Sequence, residues 1–145
     1  MRLILILFIL ILLTVPTYAS DEEYGDAMVV ASLGDARTLI PILASDSASG
    51  QICSYLFNGL IKYDKNLNMV GDLAQSWEIS NDNLSITFHL RKNVFWHDGY
   101  PFTAKDVEFT YKKLIDPNTA TPYSGDFQMI DRLQLIDDYT FKVVY

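Results

Sequence analysis

Residues 85–107 read SITFHLRKNVFWHDGYPFTAKDV, a strand pattern, a turn and a helix start in succession. Polar and apolar residues alternate strictly over 85–90, with Ile86, Phe88 and Leu90 on one face and Ser85, Thr87 and His89 on the other. That period predicts a strand covered on one side, with His89 as a surface histidine pointing away from the core. Residues 94–96 predict a second short strand, closed by Asp98-Gly99, a pair suited to a tight turn. Thr103 and Asp106 then sit at capping-box spacing, and Phe102 and Val107 flank them at the positions of a hydrophobic staple. A helix therefore starts at 103–104. Its inward stripe is Val107, Tyr111 and Leu114 with Ile115 at the edge, and Asp116-Pro117 ends it because proline pushes the preceding residue out of helical geometry.

Working outward, residues 133–136 and 140–145 flank Asp137-Asp138-Tyr139 and predict a hairpin. The chain stops in Val143-Val144-Tyr145 with no turn or polar tail, so a fragment of a longer polypeptide is expected. Upstream, 60–63 and 68–70 flank Asp64-Lys65-Asn66 and predict a smaller hairpin. A helix is expected from an N-cap at Asp46 or Ser47 to about Asn58, its buried stripe Ile52, Tyr55, Leu56 and Leu60, with Gly59 as a left-handed C-terminal residue. Cys53 lies beside that stripe as a small buried hydrophobe. Residues 37–45 carry Pro41 and read as an ordered, irregular connection. Residues 27–33 (AMVVASL) predict a buried strand, and 21–26 an acidic solvated arm.

The chain has 145 residues, 11 basic against 18 acidic, for a net charge of −7. Length near 150 favours a single domain. The acidic balance argues against nucleic acid, whose phosphates need cations. Arg2 followed by an unbroken apolar run at 3–13 and small residues at Thr17 and Ala19 has the layout of a secretory signal, cleaved after Ala19. The apolar run is shorter than the roughly 18–20 residues that cross a bilayer, which disfavours a retained anchor. A lipid anchor needs a cysteine just after such a run, and the only cysteine is Cys53.

No glycine-rich phosphate loop, GxSxG elbow or HExxH helix occurs, and the two histidines are His89 and His97. Neither a metal site nor a cofactor is expected, and no catalytic residue is assigned. Asp46, Asp72, Asp82, Asp98 and Asp106 stand among turns and caps, where carboxylates serve the backbone. The many aromatic residues read as core packing. Tyr123 is the exception, since its neighbours in 119–125 are small and polar, and it is a candidate to line a cleft.

The ordered series GDLAQSWE (71–78), SND (80–82), TFHLRKNV (87–94) and WHDGYPFTAKDV (96–107) resembles the signature of the family 5 extracellular solute-binding proteins, the oligopeptide- and dipeptide-binding components of bacterial ABC importers. The resemblance runs over about 28–145. It implies an α/β fold of the periplasmic-binding-protein type II (Venus-flytrap) kind, in which two lobes close on a ligand. Residues 20–145 would then be the N-terminal part of the solute-binding domain, comprising part of the first lobe and its extra subdomain. The implied function is a periplasmic, monomeric peptide binder that serves a membrane permease and is not an enzyme. Related members bind nickel complexes, haem or oligosaccharides, and an envelope enzyme or a sensor reusing the fold are the other readings. The stretch after the family's Leu-Asp-Pro, here Leu39-Ile40-Pro41, lines the ligand cleft and corresponds to Ser45, Asp46 and Ser47. Ile40 departs from the usual Asp. The tyrosine of DPNTATPY (116–123) maps onto Tyr123, which faces the ligand in related binders. Asp46 is open to two roles, partner of a peptide ammonium group or plain helix N-cap. The WHDG and TAKDV motifs read as structural.

Overall fold

The alternating stretch Ser85–Leu90 is strand β4 of a four-stranded antiparallel sheet in the computed structural model, which describes residues 29–32 and 34–145. Along the chain come a 3-10 turn at Pro41–Leu43, α1 (Ser47–Leu56), β1 (Ile61–Tyr63), β2 (Met69–Gly71), β3 (Ala74–Ile79), β4, α2 (Ala104–Ile115), α3 (Ser124–Phe127), β5 (Arg132–Asp137) and β6 (Thr140–Val144). All lie within one unit, Ser32–Tyr145. The large sheet has the order β3-β4-β6-β5, and β1 and β2 form a separate hairpin.

Register explains which face is covered. Trp77 opposes Phe88, Ile86 opposes Val143, and Phe88 and Leu135 both oppose Phe141. Directly opposed residues share a face, so these apolar side chains form one layer. Leu90, Phe102, Ala74, Ala104, Phe141 and Val143 are its buried centre, with Val107 and Leu133 packed against it. The other face carries Thr87, His89, Gln134 and Lys142. His89 is half-buried there rather than fully exposed, its Nε2 standing 3.7 Å from the Glu78 carboxylate.

Strand β3 was not expected from its sequence, and the structure shows why. A register shift between Ala74 and Ser76 adds one residue, so Ala74 and Trp77 share a face although they are three positions apart. A period of two cannot be read across such a bulge.

The α2 start follows expectation: Asp106 reaches back to accept from the Thr103 amide at 2.7 Å and from its hydroxyl at 3.0 Å. The buried Phe102 and the half-buried Val107 of the staple both join the core. Asp116 is extended and ends the helix, while Ile115 is exposed rather than inward. Asp106→Ala should lower stability by about 1 kcal/mol, the usual worth of a cap, read as a fall in urea midpoint at unchanged slope.

Several local expectations need correction. The strand predicted at 94–96 reduces to one bridge, Phe95 to Pro101, because the Trp96-to-Gly99 turn follows at once. The tight turn expected at Asp98-Gly99 does form, with Gly99 at φ +87°. In α1 the inward residues are Ala48, Ser49 and Cys53, whereas Ile52, Tyr55 and Leu56 are exposed. The 3-10 turn packs against this helix. The helix ends at Leu56 with Phe57 extended, and Gly59 takes no positive φ; what Gly59 supplies is its carbonyl, which accepts from Leu73 N–H at 3.0 Å. The aromatic residues divide: Phe102 is core, whereas Phe95, Tyr100 and Phe109 are exposed. Residues 29–32, the described part of the strand expected at 27–33, form no strand. The leader at 1–19, its cleavage point and the acidic arm lie outside the described residues.

Candidate functional site

Pro41 cannot donate a backbone hydrogen bond, and it restrains Ile40 to extended geometry (φ −95°, ψ 109°). Leu43 and Ala44 then donate back to the carbonyls of Ile40 and Pro41 at 3.0 and 3.2 Å, closing the 3-10 turn. The chain leaves it extended through Ala44, passes the exposed Ser45, and enters α1 at Asp46 (φ −107°, ψ 155°). The expected site residues Ser45, Asp46 and Ser47 therefore lie consecutively at the entry of α1, with Ser45 and Ser47 exposed.

Tyr123 reaches this segment from the far end of the chain. Asp116 accepts the Asn118 amide at 2.9 Å, and Thr121 Oγ1 accepts the Tyr123 amide at 3.2 Å, so side-chain turns set the course of the loop. The ring projects back across 79 positions and its hydroxyl donates to the Ala44 carbonyl at 2.5 Å. Tyr123 is 38% exposed, so the ring remains accessible while its hydroxyl is held. The structure thus brings Tyr123 to the residue that precedes Ser45, which joins the expected site residues into one locality.

Asp46 is the N-cap of α1, one of the two roles left open by its sequence. Its Oδ1 accepts the Ser49 amide at 2.9 Å and its Oδ2 the Ser49 hydroxyl at 2.7 Å. These two bonds, the amide first, hold the Asp46 carboxyl below the ordinary carboxylate range, with the Arg37 charge adding to them. At neutral pH the segment therefore presents an ionised carboxylate between two exposed serines and a phenol ring, a surface that suits polar groups able to donate hydrogen bonds.

Of the other carboxylates, Asp82, Asp98 and Asp106 do serve backbone amides, those of Leu84, Tyr100 and Thr103. Asp72 differs, binding the side chains of Asn58 and Lys62, each at 2.9 Å. Burial raises its pKa, and these two partners outweigh that and leave it lowered. Among the described residues no group of three or more His, Cys, Asp or Glu is placed to hold a metal ion. His97 stands edge-on to Phe57 at 5.9 Å, and Cys53 is buried. An apolar groove of about 540 Å³ runs between α2 and Ile40-Pro41-Ile42, lined among others by Leu60, Val107 and Tyr111. It offers few groups to orient a polar ligand, and the hydrogen-bonding surface lies instead at 44–47 with Tyr123.

The residue that sequence reasoning missed is Ser49. Asp-x-x-Ser at 46–49 is a capping pattern with serine at the third helical position, and that spacing was the available signal.

Residues 68–145 match the family described as bacterial extracellular solute-binding proteins, family 5 Middle. The glutathione-binding protein GsiB of Pectobacterium atrosepticum is 32% identical over 128 residues, covering 88% of this chain and 24% of that protein. The oligopeptide-binding protein AppA of Bacillus subtilis, solved with a nonapeptide, superposes with a TM-score of 0.73 at 27% identity, over 78% of this chain and 22% of that one. NikZ of Campylobacter jejuni, solved with Ni(L-His), gives 0.69 at 28% identity over 77% and 22%. The chain spans about a quarter of the length of such relatives. The shared fold is that of the type II periplasmic binding proteins, seen here over part of its extent. With more than half of its residues matching that family, the chain belongs to the family 5 bacterial extracellular solute-binding proteins.

Proposed function

We propose that this chain is the N-terminal part of an exported binding protein that captures peptides and hands them to the permease of an ABC importer, with no covalent chemistry of its own. Residues 1–19 serve as the leader, cleaved after Ala19, and the mature protein works as a periplasmic monomer without a lipid anchor. Residues 20–145 belong to the first lobe and its extra subdomain. Ser45, Asp46, Ser47 and Tyr123 meet the ligand, and closure of a second lobe buries it. The observation that carries this reading is the bond from Tyr123 to Ala44, which gathers the four residues at one place. Peptides suit such a surface because their termini and backbone offer donors that do not depend on side-chain identity.

The decisive experiment is native mass spectrometry of the full natural protein purified from its host envelope. Heterogeneous peptide masses released on denaturation are the expected result. A single chelated metal, of the kind the NikZ likeness favours as a second reading, would retain a binding role and overturn the peptide assignment. Hydrolysed peptide would overturn the absence of catalysis. Tyr123→Phe, which removes only the hydroxyl, should weaken peptide binding by roughly fivefold, the worth of about 1 kcal/mol for one hydrogen bond; calorimetric titration reads it.

A further inference from the structure

Ser49 is completely buried, yet it is polar, and every part of its side chain is engaged. Its hydroxyl donates to Asp46 Oδ2 at 2.7 Å and accepts the backbone amides of Arg37 at 2.9 Å and Thr38 at 3.2 Å. The same residue's own amide donates to Asp46 Oδ1 at 2.9 Å. One hydroxyl therefore joins the chain entering the 3-10 turn to the N-cap leaving it. Between these two fixed points lie Ser45 and the Ala44 carbonyl that holds Tyr123.

We infer that Ser49 is the positioning residue of the cleft segment: it touches no ligand, and it sets where Ser45, Asp46, Ser47 and, through Ala44, Tyr123 stand. The inference rests on the binding role proposed above for those four residues. The physical ground is the cost of the alternative. Without the hydroxyl, the part-buried amides of Arg37 and Thr38 and one carboxylate oxygen lose their partner together, and the 37–47 loop opens further to water to satisfy them. Packing alone does not account for the arrangement, because a buried position of this size would be filled equally well by alanine or cysteine.

The test uses the full natural protein with Ser49→Ala and Ser49→Cys, the cysteine preserving volume while donating only weakly. Two quantities are read: amide hydrogen exchange over 37–47 against that of β4 and β6, and affinity for a set of oligoalanines. Both variants are expected to exchange faster across 37–47 with the sheet unchanged, and to bind the tightest oligoalanine roughly tenfold more weakly, as for the loss of a buried network contact. Restoration of wild-type exchange by cysteine would reduce Ser49 to a filler and overturn the inference. Faster exchange with unaltered affinity would overturn it too, since the segment's position would then not govern binding. If the wild-type protein binds no oligoalanine, the peptide reading falls by itself. The exchange data then decide the positioning role alone, and an unchanged 37–47 profile in Ser49→Ala would end it.

Discussion

Phe141→Ala is expected to destabilise the unit by about 3–5 kcal/mol, the usual cost of deleting a fully buried aromatic ring. Phe141 has no exposed surface and sits on β6, an inner strand, between Phe88 on one side and Leu135 on the other. Its ring stacks on Phe88 with centroids 5.1 Å apart. Both flanking strands are held by backbone ladders, and two of the neighbouring core residues, Ala74 and Ala104, are too small to fill the void. The cavity therefore stays open, which places the loss at the upper part of that range. Urea denaturation followed by the fluorescence of Trp77, which opposes Phe88 across β3 and β4, and of Trp96, which packs on Phe102, measures it. Phe141→Leu should lose clearly less because it retains most of the apolar volume. A loss below about 1.5 kcal/mol for alanine would mean that the sheet and α2 collapse onto the site and refill it.

Gly71→Ala is the second change expected to have a large effect, and it acts through space rather than through backbone dihedrals. Gly71 has no positive φ. A Cβ placed on it would stand 2.3 Å from the Ala74 carbonyl oxygen and 3.2 Å from that of Gln75. Both obstacles are backbone, so no rotamer change relieves the clash. The chain doubles back at this point, with Asp72 and Ala74 both donating to the Leu60 carbonyl at 3.0 Å and Leu73 donating to Gly59. Moving any of these strands breaks several bonds at once. Overpacking of this kind costs about 1–3 kcal/mol where side chains can yield, and the upper end or beyond is expected here. The same urea titration reads the loss, and amide exchange should show the β1–β2 hairpin opening first. Unchanged exchange at Lys62 and Val70, which face each other in that hairpin, would show that the corner yields without cost.

These two positions also illustrate what is legible in a sequence. Phe141 stands in a strand that hairpin spacing predicts, and the structure buries alternate residues on it, Phe141 and Val143. Gly71 heads a motif that marks the family, yet nothing local requires glycine there; the reason is a carbonyl three residues on, brought close by a corner and a bulge. The bulge between Ala74 and Ser76 likewise hid β3, because it offsets the alternation by one residue.

The candidate site divides in the same way. Asp46 as N-cap was open to local reasoning, since capping depends on the next three residues alone. Tyr123 entered through family resemblance and the polarity of its loop. Its meeting with Ala44 needed the folded chain, because 78 residues, with α1, α2 and strands β1 to β4, lie between them.

Elements whose cause is local were legible in the residues alone: β4 in its alternation, α2 in its capping box, staple and proline stop, the hairpins in their turn residues, and the family in an ordered series of motifs. The tertiary structure alone decided which face of α1 turns inward and where the strand register slips. It also decided that a buried serine, Ser49, ties residues 37–38 to Asp46. Local signals act through neighbours in the chain, whose geometry is the same in any fold. Facing, register and long-range hydrogen bonds depend on partners that only the completed packing brings within reach.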